Sequence, residues 1–99
     1  MAKVRFEWNR NKDKANSRNH GVSFDEDRTV FYDENAIEFY DEDHSIAEDR
    51  YLMIGLSSKL RLLLVNYTVS EEKDEDVIRI ISSRKPTKKE QMVYFERLK

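Results

Sequence analysis

Two strongly apolar runs, Arg50–Leu56 and Arg61–Val69, are separated by little more than Ser57-Ser58-Lys59. β-branched and aliphatic runs this close, joined by small polar residues, predict a β-hairpin. That hairpin fixes the centre of the fold, and the remaining apolar segments arrange around it. Val77–Ser83 reads as a further strand, Ala36–Tyr40 as a short aromatic one, and Val4–Trp8 alternates as a strand should. Glu71–Asp76 is so charged that it reads as an exposed connection. Asn9 is placed to cap a helix that ends near Gly21, a residue suited to a left-handed C-terminal position. Ser23-Phe24-Asp25-Glu26 has the capping-box form and predicts a second helix to about Tyr32, packed through Phe24, Val30 and Phe31 and broken by Asp33-Glu34-Asn35. Thr87-Lys88-Lys89-Glu90 repeats that form and opens a C-terminal helix with Met92, Val93, Phe95 and Leu98 as its apolar contacts. The order is β-α-α-β-β-β-β-α. Successive strands with short connections favour an antiparallel sheet, so the expected class is α+β, with two N-terminal helices and one C-terminal helix on a small antiparallel sheet.

Ninety-nine residues suit one small domain, spanning 1–99. Cysteine is absent, which excludes disulfides, zinc ribbons and thiol catalysis. No stretch approaches the roughly 20 apolar residues of a membrane span, and Met1–Arg10 is followed by no apolar run of the signal-peptide kind. A soluble cytoplasmic protein without membrane partners is the expectation. The formal net charge of −2 conceals segregation. Residues 1–23 carry Lys3, Arg5, Arg10, Lys12, Lys14 and Arg18 against Glu7 and Asp13, and residues 77–99 carry seven bases against Glu90 and Glu96. The acids fall between, in Asp25–Asp49 and Glu71–Asp76. If the two ends meet, they form a basic face able to attract phosphates; otherwise the pattern is solvated surface charge.

The residues able to do chemistry follow from that segregation. Arg79 and Arg84 put permanent charge on a strand, in the planar fork that matches a phosphate. The plainer alternative is two arginines reaching from a sheet edge to nearby acids. Lys12, Asn16 and His20 share one helical face, and His20 stands where a helix dipole favours its charged form. It could move a proton near neutral pH or simply cap the last carbonyls. Tyr94 follows Glu90 by four residues and could donate a proton, stack on a base or pack on the sheet. Trp8 reads as a packing anchor. Asp41-Glu42-Asp43-His44 has metal-type ligands but neither the glycine nor the spacing of a calcium loop, and reads as a solvated acidic loop. Asn66-Tyr67-Thr68 matches a glycosylation acceptor but falls in a strand.

An ordered set runs through nearly the whole chain. It comprises Phe6-Glu7-Trp8, Lys12, Asn16, His20-Gly21-Val22-Ser23-Phe24, Val30-Phe31, Asp41 to His44 and Arg50. It continues with Ile54-Gly55, Arg61, Leu63, Tyr67-Thr68, Arg79-Ile80-Ile81-Ser82, Arg84, Glu90 and Tyr94. In this order and spacing the chain resembles the BrnT family of type II toxins. The resemblance implies a fold similar to the RelE-like ribonucleases, cleavage of RNA, and a BrnA-type antitoxin with a ribbon-helix-helix DNA-binding domain. It also implies that the toxin–antitoxin complex represses its own operon, so that operator DNA is met only through the antitoxin. With no metal or other cofactor expected, the RNA 2′-hydroxyl would be the nucleophile. Arg61, Arg79 and Arg84 are then candidates to stabilise charge on the phosphoryl oxygens. His20, Tyr94 and Glu48 are candidates for proton transfer, and Lys12, Lys85 and Lys88 for binding the RNA. The competing expectation is a module that docks an antitoxin and has no chemistry of its own.

Overall fold

Every strand and helix expected from the local patterns forms. The structure, a computed structural model, describes residues 3–99. Strand β1 (Lys3–Trp8) leads into helices α1 (Arg10–His20) and α2 (Phe24–Val30). Strand β2 (Ile37–Tyr40), a single 3₁₀ turn at Glu42–His44, and strands β3 (Arg50–Leu56), β4 (Leu62–Glu72) and β5 (Glu75–Arg84) follow, and helix α3 (Lys88–Arg97) closes the order. The caps carry the local logic. Asn9 accepts from the Lys12 amide, Ser23 from the Glu26 amide, and Thr87 and Glu90 form a reciprocal capping box. Gly21 ends α1 at φ +69°, where any side chain would be strained.

The sheet runs β1-β5-β4-β3-β2, and two expectations about it need correction. It is mixed rather than antiparallel, because β1 pairs with β5 in parallel. Short connections dictate antiparallel pairing from β2 to β5, but β1 is separated from the other strands by two helices and is free of that rule. It takes the open edge beside the last strand, but the basic ends do not merge into one face: Lys12, Lys14 and Arg18 lie on α1, and Arg5 in β1 is held by three glutamates. The second correction concerns Glu71–Asp76. The β4–β5 ladder continues to Glu72↔Glu75, and only Lys73 and Asp74, at φ 48° and 67°, form the turn. Two residues with positive φ match the twist of a tight hairpin. Arg5 makes the charge tolerable: its guanidinium reaches Glu72 at 2.7 Å, Glu7 at 3.2 Å and Glu75 at 3.3 Å.

Alternate residues of each strand face opposite sides. On one side, Leu63, Val65, Tyr67 and Ile80 meet Val22, Phe24 and Val30 beneath α1 and α2, with Phe6, Trp8 and Phe31 around them. Gly55 allows α2 to approach, since a Cβ there would lie 2.6 Å from Val30 Cγ1. Asn16 ties α1 to β5 by donating to Ser83 Oγ at 2.8 Å and accepting from the Ser83 amide at 3.0 Å. On the other side α3 covers one end of the sheet, where Tyr94 packs with Ile54 and Leu64. The rest of that face carries no helix.

Candidate nucleic-acid interface on the open sheet face

The pairing register lines up one row across four strands. Glu7 pairs with Arg79, Arg79 with Thr68, and Thr68 with Arg50. The next row is Ser82, Asn66 and Leu52, and the next is Arg84, Leu64 and Ile54. The face therefore grades from apolar beneath α3 to charged where it is open. Arg79 and Arg84 stand five positions apart, which in a regular strand puts them on opposite faces. A bulge between Tyr67↔Ile80 and Asn66↔Ser82 inserts one extra residue into β5 and returns Arg84 to the face of Arg79.

Each of these arginines already holds a carboxylate. Arg79 Nη2 donates to both oxygens of Glu48, at 2.7 and 2.9 Å. Glu48 lies in the loop before β3 and also reaches Arg50 at 3.9 Å, so one carboxylate bridges two guanidinium groups. Arg84 grips Glu90 in a fork, at 2.8 and 3.1 Å. Those hydrogen bonds hold the Glu90 carboxyl down to about 2. Glu7, Glu48, Thr68, Ser70 and Arg79 line a cavity of about 210 Å³ at this place. Two buried polar atoms on the face have no partner among the described residues, Nε of Arg50 and Oδ1 of Asn66. Buried groups of this kind are normally satisfied, and each one left unmet costs about 1–3 kcal/mol.

The remaining candidates are dispersed. Tyr94 is 4 % exposed and donates to Asp33 Oδ2 at 2.7 Å. Burial, reinforced by the Asp33 charge, pushes its phenol up to about 12, so it stays protonated. Arg61 turns away from the open face and forks onto buried Glu26, at 2.6 and 2.8 Å, with a further bond to the Gly21 carbonyl. Those bonds hold the Glu26 carboxyl below its usual range. Lys12 and His20 are exposed on α1, on the opposite side of the sheet from Arg79. Lys85, ahead of α3, and Lys88, in its first turn, have no carboxylate within 4 Å among the described residues. His44 pairs with Asp41, at 2.9 Å. Arg50, Asn66 and Ser82 were not among the candidates for a role. An arginine opening an apolar strand was the available signal for Arg50, but the shared row is visible only once the register is known.

A family model described as "Ribonuclease toxin, BrnT, of type II toxin-antitoxin system" matches residues 8–90. The chain belongs to the BrnT family. The crystal structure of the Brucella abortus ribonuclease toxin BrnT is similar in fold, with a TM-score of 0.62 at 20 % identity, covering 87 % of this chain and 99 % of that one. No curated protein matches the chain. BrnT membership makes it a ribonuclease toxin by family, with an antitoxin as partner. No helix of this BrnT chain, among the described residues, is long and apolar enough to cross a membrane.

Proposed function

We propose that this chain is a metal-independent endoribonuclease that cuts RNA on the open sheet face, in the cytoplasm, and so inhibits translation and growth. The observation that carries the reading is the row Glu7–Arg79–Thr68–Arg50 with Glu48 bridging its two arginines. A bound RNA phosphate takes the place of the Glu48 carboxylate between Arg79 and Arg50. Both guanidinium groups then lie where negative charge grows as the 2′-oxygen attacks phosphorus. The displaced carboxylate remains close and accepts the 2′-hydroxyl proton. The bond to the 5′-oxygen breaks, that oxygen takes a proton from solvent, and a 2′,3′-cyclic phosphate is left. Arg84 borders the site, and Lys85 and Lys88 extend its positive track along the RNA backbone. Arg61 and Tyr94 hold the fold around the site, while Lys12 and His20, on the far side of the sheet, are reached only by a longer strand that wraps the edge.

The partner under this reading is a BrnA-type ribbon-helix-helix antitoxin, and operator DNA is bound only through it. The internal pairing of Arg79 and Arg84 with carboxylates favours a second reading, in which the arginines are structural and the chain only docks its antitoxin. Purified protein incubated with RNA in excess chelator separates the two. The first reading expects cleavage with cyclic phosphate ends, reduced about 10²–10³-fold by Arg79→Ala. Cleavage that chelator abolishes would remove metal independence. Equal cleavage by folded Arg79→Ala and Arg50→Ala would remove the assigned site, and intact RNA with normal growth on expression would favour the second reading.

A further inference from the structure

Helix α3 leaves most of its apolar side chains in solvent. Of its ten residues only Tyr94 is buried, while Met92, Val93 and Phe95, with Leu98 just beyond, are exposed. Beside it lies a groove of about 520 Å³ whose walls include Leu56, Leu60, Leu62, Pro86, Phe95 and Leu98. Leu60 sits in the β3–β4 hairpin at φ +61°, a left-handed conformation that glycine or asparagine would adopt more easily, and it is 80 % exposed. A strained backbone here holds an aliphatic side chain out into water at the mouth of an apolar groove. Contiguous exposed apolar surface of this kind marks an interaction site.

We propose that this groove receives a segment of the antitoxin, one that lays apolar side chains along α3 and presents carboxylates to Lys85. The inference rests on the toxin–antitoxin reading for the identity of the partner. Charge selects among the possible occupants. Lys85 lines the groove, Lys88 and Lys89 stand at the first turn of α3, and none has a carboxylate within 4 Å among the described residues. Arg61, the other cation in the wall, is already satisfied by Glu26. A second copy docked through the same face would bring lysines against lysines. A nucleic acid would leave the aliphatic floor unfilled. An acidic segment with apolar residues satisfies both features.

The test uses the full antitoxin, co-expressed with the toxin and purified as the complex. Amide exchange in residues 57–62 and in α3 should slow in the complex relative to the toxin alone. Leu60→Asn should make the toxin more stable, because asparagine suits the backbone, and yet weaken antitoxin binding; Phe95→Glu should weaken it further, by at least about tenfold. Both variants should cut RNA as the wild type does. Folded variants that bind within twofold of wild type, or protection confined to other elements, would overturn the proposal. So would a toxin that dimerises alone and is made monomeric by Phe95→Glu, since the occupant would then be a second copy. A wild type that neither cuts RNA nor arrests growth, yet binds its antitoxin through this groove, would fail the ribonuclease reading and leave this one standing.

Discussion

The two faces of the sheet are built from the same strands by alternating residues, yet they treat polar groups in opposite ways. Under α1 and α2 the enclosed polar groups are Asn16 with Ser83, Glu26 beneath the Arg61 guanidinium, and Asp27 at 0 % exposure. On the open face Arg50, Asn66, Ser82 and Arg79 stand partly or fully in solvent, and the charges there are held by a carboxylate from a loop. Enclosed polar groups specify how helices dock. Under the proposed function, open ones exchange a carboxylate for a phosphate without disturbing the core. Stability and proposed activity are therefore expected to separate by face.

The largest effect belongs to the closed face. Asp27 has no hydrogen-bond partner for either oxygen among the described residues. Burial pushes its carboxyl up to about 7, with Glu26 and Asp13 adding to the shift and the nearby Ser83 hydroxyl and Arg61 opposing it. The unfolded chain releases this proton near 3.8, whereas the folded chain keeps it to about 7. Stability should therefore fall as pH rises between those values and then level off, by about 4 kcal/mol if the site does not relax. Asp27→Asn should flatten that dependence, as urea unfolding at pH 5 and pH 8 will show. RNA cleavage at fixed pH should change little. A cleavage defect as large as the stability change would mean that the faces are coupled.

The matching change on the open face is Arg79→Ala. It should cost about 10²–10³ in cleavage, or about 3–4 kcal/mol in the barrier, with little change in the unfolding midpoint. Removing Glu48 instead, as Glu48→Gln, should tighten RNA binding while slowing cleavage, because one residue both occupies the proposed phosphate site and is proposed as the base. A KM and kcat that fall together would carry that signature; a KM that rises would leave Glu48 as only a structural partner of Arg79.

These contrasts also explain how far the sequence could be read. Asn9, Ser23, Gly21 and Thr87 work within one helical turn, so their caps were legible and hold. Arg79 and Arg84, as permanent charges on a strand, and Glu48, as a carboxylate, were legible as candidate residue types, with ordinary surface pairing left open for the arginines. What links them is not local. Glu48 meets Arg79 across 31 positions, and Arg84 shares the face only through the bulge in β5. The parallel edge position of β1 depends on which edge remains open after the hairpins form, and no residue in Val4–Trp8 encodes that. The charged stretch Glu71–Asp76 pairs as a ladder because Arg5, some 67 positions from Glu72, supplies the counter-charge. The separation of Arg61 and His20 from the open face has the same origin: it follows from how α1 and α2 cross the sheet, which their own spacing does not record.

A smaller effect tests the fit between α2 and the sheet. Gly55→Ala places a Cβ 2.6 Å from Val30 Cγ1 and 3.0 Å from the Ala36 Cβ, both on the closed face. Overpacking there should destabilise the chain by about 1–3 kcal/mol. Residual cleavage per folded molecule should be unchanged. A cleavage loss beyond the unfolded fraction would show that α2 transmits strain through β3 to Arg50.

The smallest expected effect bears on α3, the one element that belongs to neither regime. It caps the apolar end of the open face, but its hold is slight: the buried ring of Tyr94, its bond to Asp33, and the Arg84–Glu90 fork. Thr87→Ala removes the side-chain half of the capping box and should cost about 1 kcal/mol. Because Glu90 serves both the cap and Arg84, the loss should appear first as faster amide exchange at the start of α3, with α1 and α2 unaffected. Equal acceleration in all three helices would mean that the faces open as one unit, and the division of labour between them would then be chemical without being energetic.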